Sequence, residues 1–132
     1  MARYYSVDDA NTLLGELRPL LERLRQDRDK VAERQRELVA FRGTNGNASH
    51  VDELTRREAA IAVIVADMEA AVRRIESWDV TLRDIGSGLI DFPALASGRT
   101  IWLCWRLGED DVAWWHELST GIAGRRPLAE LT

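Results

Sequence analysis

Apolar residues recur with helical spacing through the first half of the chain. One set of apolar residues is spaced seven residues apart. Further leucines lie three or four residues from members of this set. The set consists of Ala10, Leu17, Leu24, Val31 and Leu38. Pro19 falls inside this pattern, where a proline removes one backbone hydrogen bond and clashes with the preceding turn. We therefore expect one long helix that kinks or restarts at Pro19.

A second helix is predicted after the glycine- and asparagine-rich segment 43–49, which has the composition of a loop. Apolar residues then follow an alternating spacing of three and four. They are Val51, Leu54, Ile61, Val65, Met68, Val72 and Ile75. Because the two helices are similar in length and the loop is short, we expect an antiparallel hairpin over residues 1–78.

The segment 59–66 is apolar around the whole circumference of the second helix. A single partner helix covers only one side of such a helix. We therefore predict a homodimer in which two hairpins pair through an interface that includes Val63 and Ile64.

The apolar period falls to two residues after Trp78. Alternating segments at 80–83, 89–92, 101–107 and 112–117 predict short strands, and Pro93 is expected to end the second. One face of the third carries Ile101, Leu103, Trp105 and Leu107, a predicted core face. Short connections favour an antiparallel meander. The predicted fold is α+β, a single domain over 1–132 with a long antiparallel α-helical hairpin (1–78), then a small antiparallel β-sheet of three to four strands and a C-terminal tail (79–132).

Composition narrows the class of protein. The chain is 45% hydrophobic and 30% charged, which is typical of a globular domain rather than a disordered one. A net charge of −4 without a basic segment argues against nucleic acid as a partner. The longest apolar run is too short to cross a bilayer, and no signal peptide is evident. The single cysteine, Cys104, cannot form an intrachain disulfide, so we expect a cytoplasmic protein.

Several C-terminal motifs resemble those of a known family. They are Gly88-Leu89-Ile90-Asp91-Phe92-Pro93, Leu103-Cys104-Trp105-Arg106-Leu107-Gly108-Glu109, Trp115-His116-Glu117 and Gly121-Ile122-Ala123-Gly124-Arg125. Together with the helical half they resemble a bacterial family catalogued as domain of unknown function 2203. The resemblance implies a small soluble bacterial protein, and it carries no catalytic residue or cofactor with it.

The main candidate site is a polar pocket on the sheet. Asp91, Arg106, Glu109, His116 and Arg125 are the residues expected to converge there. Arginine forks suit carboxylates and phosphates, so the pocket would bind a small ligand. The alternative is that the same residues form ion pairs that hold the sheet together. The predicted function is thus a dimeric interaction protein or a small-ligand-binding protein.

The alternative function is a metal-binding protein or small enzyme that uses His116, with Glu117 or another nearby carboxylate. With two histidines in the chain, a three-histidine zinc site is excluded within one subunit. Cys104 lies among apolar residues, where a lone cysteine is more typical of packing. A thiolate pair of Cys104 with His116 has neither a helix N-terminus nor a glycine-rich loop to support it.

Overall fold

The computed structural model describes residues 3–44, 46 and 48–131. Two long helices are followed by five strands and two short 3₁₀ turns. These elements are α1 Val7–Arg42, α2 Ala48–Ser77, β1 Thr81–Asp84, β2 Leu89–Ala96, β3 Arg99–Trp105, β4 Trp114–His116, β5 Arg126–Pro127, and the turns Ile122–Gly124 and Leu128–Glu130. The predicted α+β fold is confirmed, with five strands rather than three to four. Asn45 and Asn47 of the predicted loop lie outside the described residues.

Helix α1 begins at a capped N-terminus. The Ser6 side chain accepts a hydrogen bond from the Asp9 backbone N–H at 3.0 Å. The helix then continues through Pro19, so it does not restart there. Leu17 and Leu21, on either side of the proline, are almost fully buried. Burial of such leucines stabilises by about 2 kcal/mol each, enough to offset the roughly 3 kcal/mol that a proline costs inside a helix.

The five strands form one antiparallel sheet in the order β1-β2-β3-β4-β5. Strand β2 is longer than expected and runs through Pro93. Pairing of β1 with β2 ends at the Thr81–Asp91 pair, whereas Pro93 pairs with Trp102 of β3. Within the part of the chain that the structure describes, β2 has one neighbouring strand at Pro93. The missing N–H therefore does not break a ladder, and the prediction that Pro93 ends the strand is wrong.

The hydrophobic core lies between the helices and the inner face of the sheet. The predicted core face of β3 is confirmed, since Ile101, Leu103 and Trp105 are buried there and Leu107 packs against the same cluster. Trp115 packs inward as well, while its neighbour Trp114 is only partly buried. Alternation along the strands then places a second set of side chains on the outer face, away from the helices. No helix among the described residues is long and apolar enough to cross a membrane.

Candidate metal centre

Three chemically reactive side chains converge on the outer face of the sheet. Asp91 of β2 lies opposite Cys104 of β3, and His116 of β4 lies two residues along from Trp114, the partner of Cys104. Residues two apart share a face, so the three side chains meet. Exposed fractions are 2% for Asp91, 0% for Cys104 and 2% for His116. One potential ligand atom from each residue lies within 4.8 Å of the others.

A cleft of about 230 Å³ gives access to this cluster. The segment between β4 and β5 contributes Leu118, Gly121 and Ile122 to its wall. The sheet contributes Arg83, Leu89, Asp91 and His116. A small molecule or an ion that enters the cleft therefore meets two members of the cluster directly.

The hydrogen bonds of His116 define where its ring protons lie. Nδ1 is 2.8 Å from the backbone oxygen of Glu117, and a carbonyl oxygen only accepts, so Nδ1 carries a hydrogen and donates it. Nε2 then faces Oδ1 of Asp91 at 3.0 Å. In a neutral imidazole of this tautomer, a lone pair on Nε2 would face a carboxylate oxygen, which also accepts. Either a proton or a metal cation must therefore lie between the two atoms.

Asp91 is held in position by Arg83. Arg83 Nε donates to Oδ2 of Asp91 at 2.9 Å, which leaves Oδ1 for His116. The Arg83 guanidinium also lies 5.1 Å from the centre of the Trp102 ring, a cation–π distance. These two contacts fix the orientation of the carboxylate, which is the role that residues around a metal site play for its ligands.

Cys104 is a protonated thiol unless a cation binds it. Burial raises its pKa to about 11, and the negative charge of Asp91 acts in the same direction. Arg125 Nη1, 3.9 Å from Sγ, offsets only part of this effect. A thiol in such a setting is a poor nucleophile at neutral pH, which argues against the thiolate pair with His116. A coordinated metal ion would displace the thiol proton directly.

The five residues expected to form one pocket fall into two adjoining groups. Asp91 and His116 are in contact, as described above. Arg125 instead forms a two-pronged ion pair with Glu109, with Nη2–Oε2 at 2.6 Å and Nη1–Oε1 at 3.2 Å. The Arg106 backbone N–H donates to Glu109, while its guanidinium is about half exposed and 4.0 Å from that carboxylate. Arg125 links the groups through its contact with Cys104.

Glu117, the carboxylate suggested alongside His116 as a metal ligand, points elsewhere. Its carboxylate pairs with Arg99 at 2.8 Å. Glu117 contributes its backbone oxygen to His116 instead. Among the described residues, the group with metal-binding geometry is Asp91, Cys104 and His116.

Sequence reasoning did not select Cys104 as a ligand or Arg83 as the partner of Asp91. The alternation of β3 does place Cys104 on the face opposite Trp105, and this was the available signal. Which residue of β2 lies beside Cys104 depends on the strand register, which alternation alone does not give.

Comparison with known proteins places the chain in a family. The profile of the family described as an uncharacterized conserved protein, DUF2203, matches residues 3–128. The chain belongs to the DUF2203 family. The DUF2203 match extends over both helices and the sheet, and so includes all three residues of the cluster. No curated protein and no solved structure matches the chain.

The ion pair beside the cluster leads to a prediction on pH. Burial alone would raise the pKa of Glu109, but hydrogen bonds from Arg125 and from the Arg106 backbone bring it below its ordinary value of 4.5. A lowered pKa in the folded state stabilises the protein above the unfolded-state pKa, and this contribution is lost as pH falls through the folded-state pKa. Glu109→Gln should therefore lower the free energy of unfolding by about 1–2 kcal/mol at neutral pH.

The difference between wild type and Glu109→Gln should vanish at pH values well below 4.5. Urea unfolding followed by tryptophan fluorescence measures it at each pH. Glu22→Gln, at an exposed position of α1, is the matched control and should show little difference at either pH. A Glu109→Gln deficit that is the same in acid and at neutral pH would contradict the proposed charge pairing.

Proposed function

We propose that this protein binds a divalent transition-metal ion, with Zn²⁺ the best match, through Asp91, Cys104 and His116. The observation that supports this is the placement of three buried potential ligand atoms within 4.8 Å of one another, with Nε2 of His116 3.0 Å from Oδ1 of Asp91. This develops the expectation of a metal-binding protein that uses His116 with a nearby carboxylate, and it adds Cys104 as the third ligand.

The donor set suits zinc. Zinc accepts thiolate, imidazole and carboxylate ligands at about 2.0–2.3 Å in tetrahedral sites. Ligand atoms around such an ion lie roughly 3–4 Å apart, so the present cluster needs to contract by about 1 Å on binding. Metal-ligating histidines usually donate their second ring N–H to a carbonyl or carboxylate, as His116 does to Glu117. Three protein ligands leave a fourth position open, the arrangement of catalytic rather than structural zinc sites.

Charge supports the same assignment. A divalent cation would be neutralised by the Asp91 carboxylate and the Cys104 thiolate, which removes the cost of placing either anion in a buried site. In the alternative state of the site, no metal is bound. His116 is then an imidazolium paired with Asp91, and Cys104 is a neutral packing residue. The two differ in whether sulfur bonds to a metal.

Cobalt and zinc titrations distinguish the metal-bound site from the imidazolium pair. Protein stripped with a chelator should take up one equivalent of Zn²⁺ by calorimetry and elemental analysis. Co²⁺ should give a near-ultraviolet charge-transfer band from sulfur and the intense visible bands of a four-coordinate ion. Mg²⁺, which prefers oxygen ligands, should not compete. Absence of the sulfur-to-cobalt band, or zinc binding no tighter than about 1 mM (about 4 kcal/mol), would overturn the proposal in favour of the imidazolium pair.

We also propose that two copies pair through their helical hairpins. Helix α2 has 30 residues but buries only Ile75 among those described, and Val63 is 63% exposed. An apolar groove between the helices is lined by residues such as Val31, Val65 and Met68. Its rim carries charges of both signs, two arginines and one glutamate. A rim of both signs can complement itself across a two-fold axis, so a second copy is the occupant we favour.

Val65→Asp should convert the dimer to a monomer, because Val65 lines the groove and a charge at the proposed interface is costly to bury. Sedimentation equilibrium over a range of concentrations measures the mass. Leu95→Asp introduces the same charge at an exposed apolar position of β2, outside the groove, and should leave the dimer intact. A wild-type mass that stays monomeric at all concentrations would exclude the pairing.

We propose a cytoplasmic location for the same protein. A thiolate ligand must remain reduced to hold a metal, and the cytoplasm is the compartment that maintains free thiols.

A further inference from the structure

We propose that the cleft beside the cluster binds a small monoanionic carboxylate with an apolar body. One carboxylate oxygen takes the open position on the metal, and the other pairs with Arg83. This inference rests on the proposed metal site, and it names the class of ligand that completes it.

Arg83 is placed to receive an anion. It lines the cleft and is 43% exposed, unlike the buried residues behind it. Only its Nε donates to Asp91; within the described residues, its two terminal amino groups have no hydrogen-bond acceptor. The Trp102 ring beneath the guanidinium restricts its motion. A fixed guanidinium with free N–H groups is the usual partner of a carboxylate in a protein site.

The charges around the cleft favour an anion of charge −1. A divalent cation is neutralised by Asp91 and the Cys104 thiolate, and His116 is then a neutral ligand. Arg125, on the other side of Cys104, is already neutralised by Glu109. One positive charge remains, on Arg83. A carboxylate cancels it, whereas a phosphate group, which carries between one and two negative charges near neutral pH, leaves an excess negative charge in a partly buried site.

The wall of the cleft determines what the carboxylate is attached to. Leu118 and Ile122 are two of the large apolar side chains that remain exposed on this protein, and both line the cleft with Leu89. Covering them with the apolar part of a ligand removes that surface from water. The volume of about 230 Å³ limits the ligand to a few carbon atoms beyond the carboxylate.

Isobutyrate and isobutyramide test this proposal as a matched pair, because they have the same shape and differ in charge. On cobalt-loaded protein, isobutyrate should shift the visible bands of the metal and bind at least about tenfold more tightly than isobutyramide. Arg83→Gln should weaken isobutyrate binding by about tenfold or more, since a hydrogen bond to a charged group is lost. Arg126→Gln removes an exposed arginine that does not line the cleft, and should leave isobutyrate binding unchanged.

The outcomes separate the two proposals. Absence of the sulfur-to-cobalt band in wild type would overturn the proposed metal site itself. An intact band with no response to isobutyrate, or an equal response to isobutyramide, would overturn the carboxylate site alone. Tighter binding of inorganic phosphate than of isobutyrate would overturn the monoanion assignment. If Arg83→Gln holds cobalt too weakly to titrate, Arg83→Lys keeps the charge and should retain part of the affinity.

Discussion

Cys104→Ser should weaken zinc binding by at least about 100-fold. Changes to residues that merely orient a ligand already cost 10–100-fold, and this substitution removes a ligand atom itself. Serine is nearly the same size, but its hydroxyl is a harder donor and gives up its proton far less readily than a thiol. Competition with a chelating dye measures the affinity, and the sulfur-to-cobalt band should disappear in the same variant.

His50→Gln serves as the control for this experiment. It removes the other histidine of the chain, which lies in α2 and is far from the cluster in sequence. Its zinc affinity should equal that of wild type. The free energy of unfolding of metal-free Cys104→Ser should change far less than its zinc affinity. Zinc affinity that survives in Cys104→Ser would show that sulfur does not bind the metal and would leave Cys104 as a packing residue.

Trp105→Ala should lower the free energy of unfolding by about 3–5 kcal/mol, the range for truncating a large aromatic residue in a core. Trp105 is 1% exposed, at the end of β3 on the inner face of the sheet. Its indole N–H donates to the Asp110 backbone oxygen at 3.0 Å, and the Arg18 guanidinium lies 5.5 Å from its ring centre. The substitution therefore opens a cavity and also removes a hydrogen bond between β3 and the following turn. Urea unfolding followed by circular dichroism gives the value.

Trp78→Ala removes the same indole from a partly buried position after α2, and should cost clearly less. Single domains unfold at about 5–15 kcal/mol, so the Trp105 variant should lose a large part of its stability. A loss below about 1 kcal/mol in Trp105→Ala would mean that Trp105 contributes little to the packing of the core.

The helices and main strands could be predicted from the sequence because each buries one face, and this gives its apolar residues a regular spacing. The leucines of α1 recur with helical spacing since one side of that helix covers the sheet, and Ile101, Leu103 and Trp105 alternate for the corresponding reason. Strand β5 was missed because its two residues are too few to show any period. The prediction for Pro93 is wrong because the residues around a proline do not reveal where the neighbouring strand ends.

The candidate site was only partly predictable, for a related reason. Asp91 and His116 stand out as polar residues within apolar strands, and both were selected. Contact between them depends on the β2–β3 and β3–β4 registers, and their burial depends on the segment 117–125 that folds over the outer face. Neither the strand registers nor this covering segment can be predicted from the spacing of apolar residues. Segment 117–125 covers part of the outer face, so Asp91 and His116 are buried there.

The sheet order also has a consequence for how the protein folds. Each strand pairs with the strand that precedes it in the chain, so the sheet can grow by adding hairpins one after another without long loop closures. Two of the three proposed ligands are in place once β2 and β3 pair, whereas His116 arrives only with β4. Metal uptake during refolding should therefore follow the docking of β4 and report that the sheet is nearly complete.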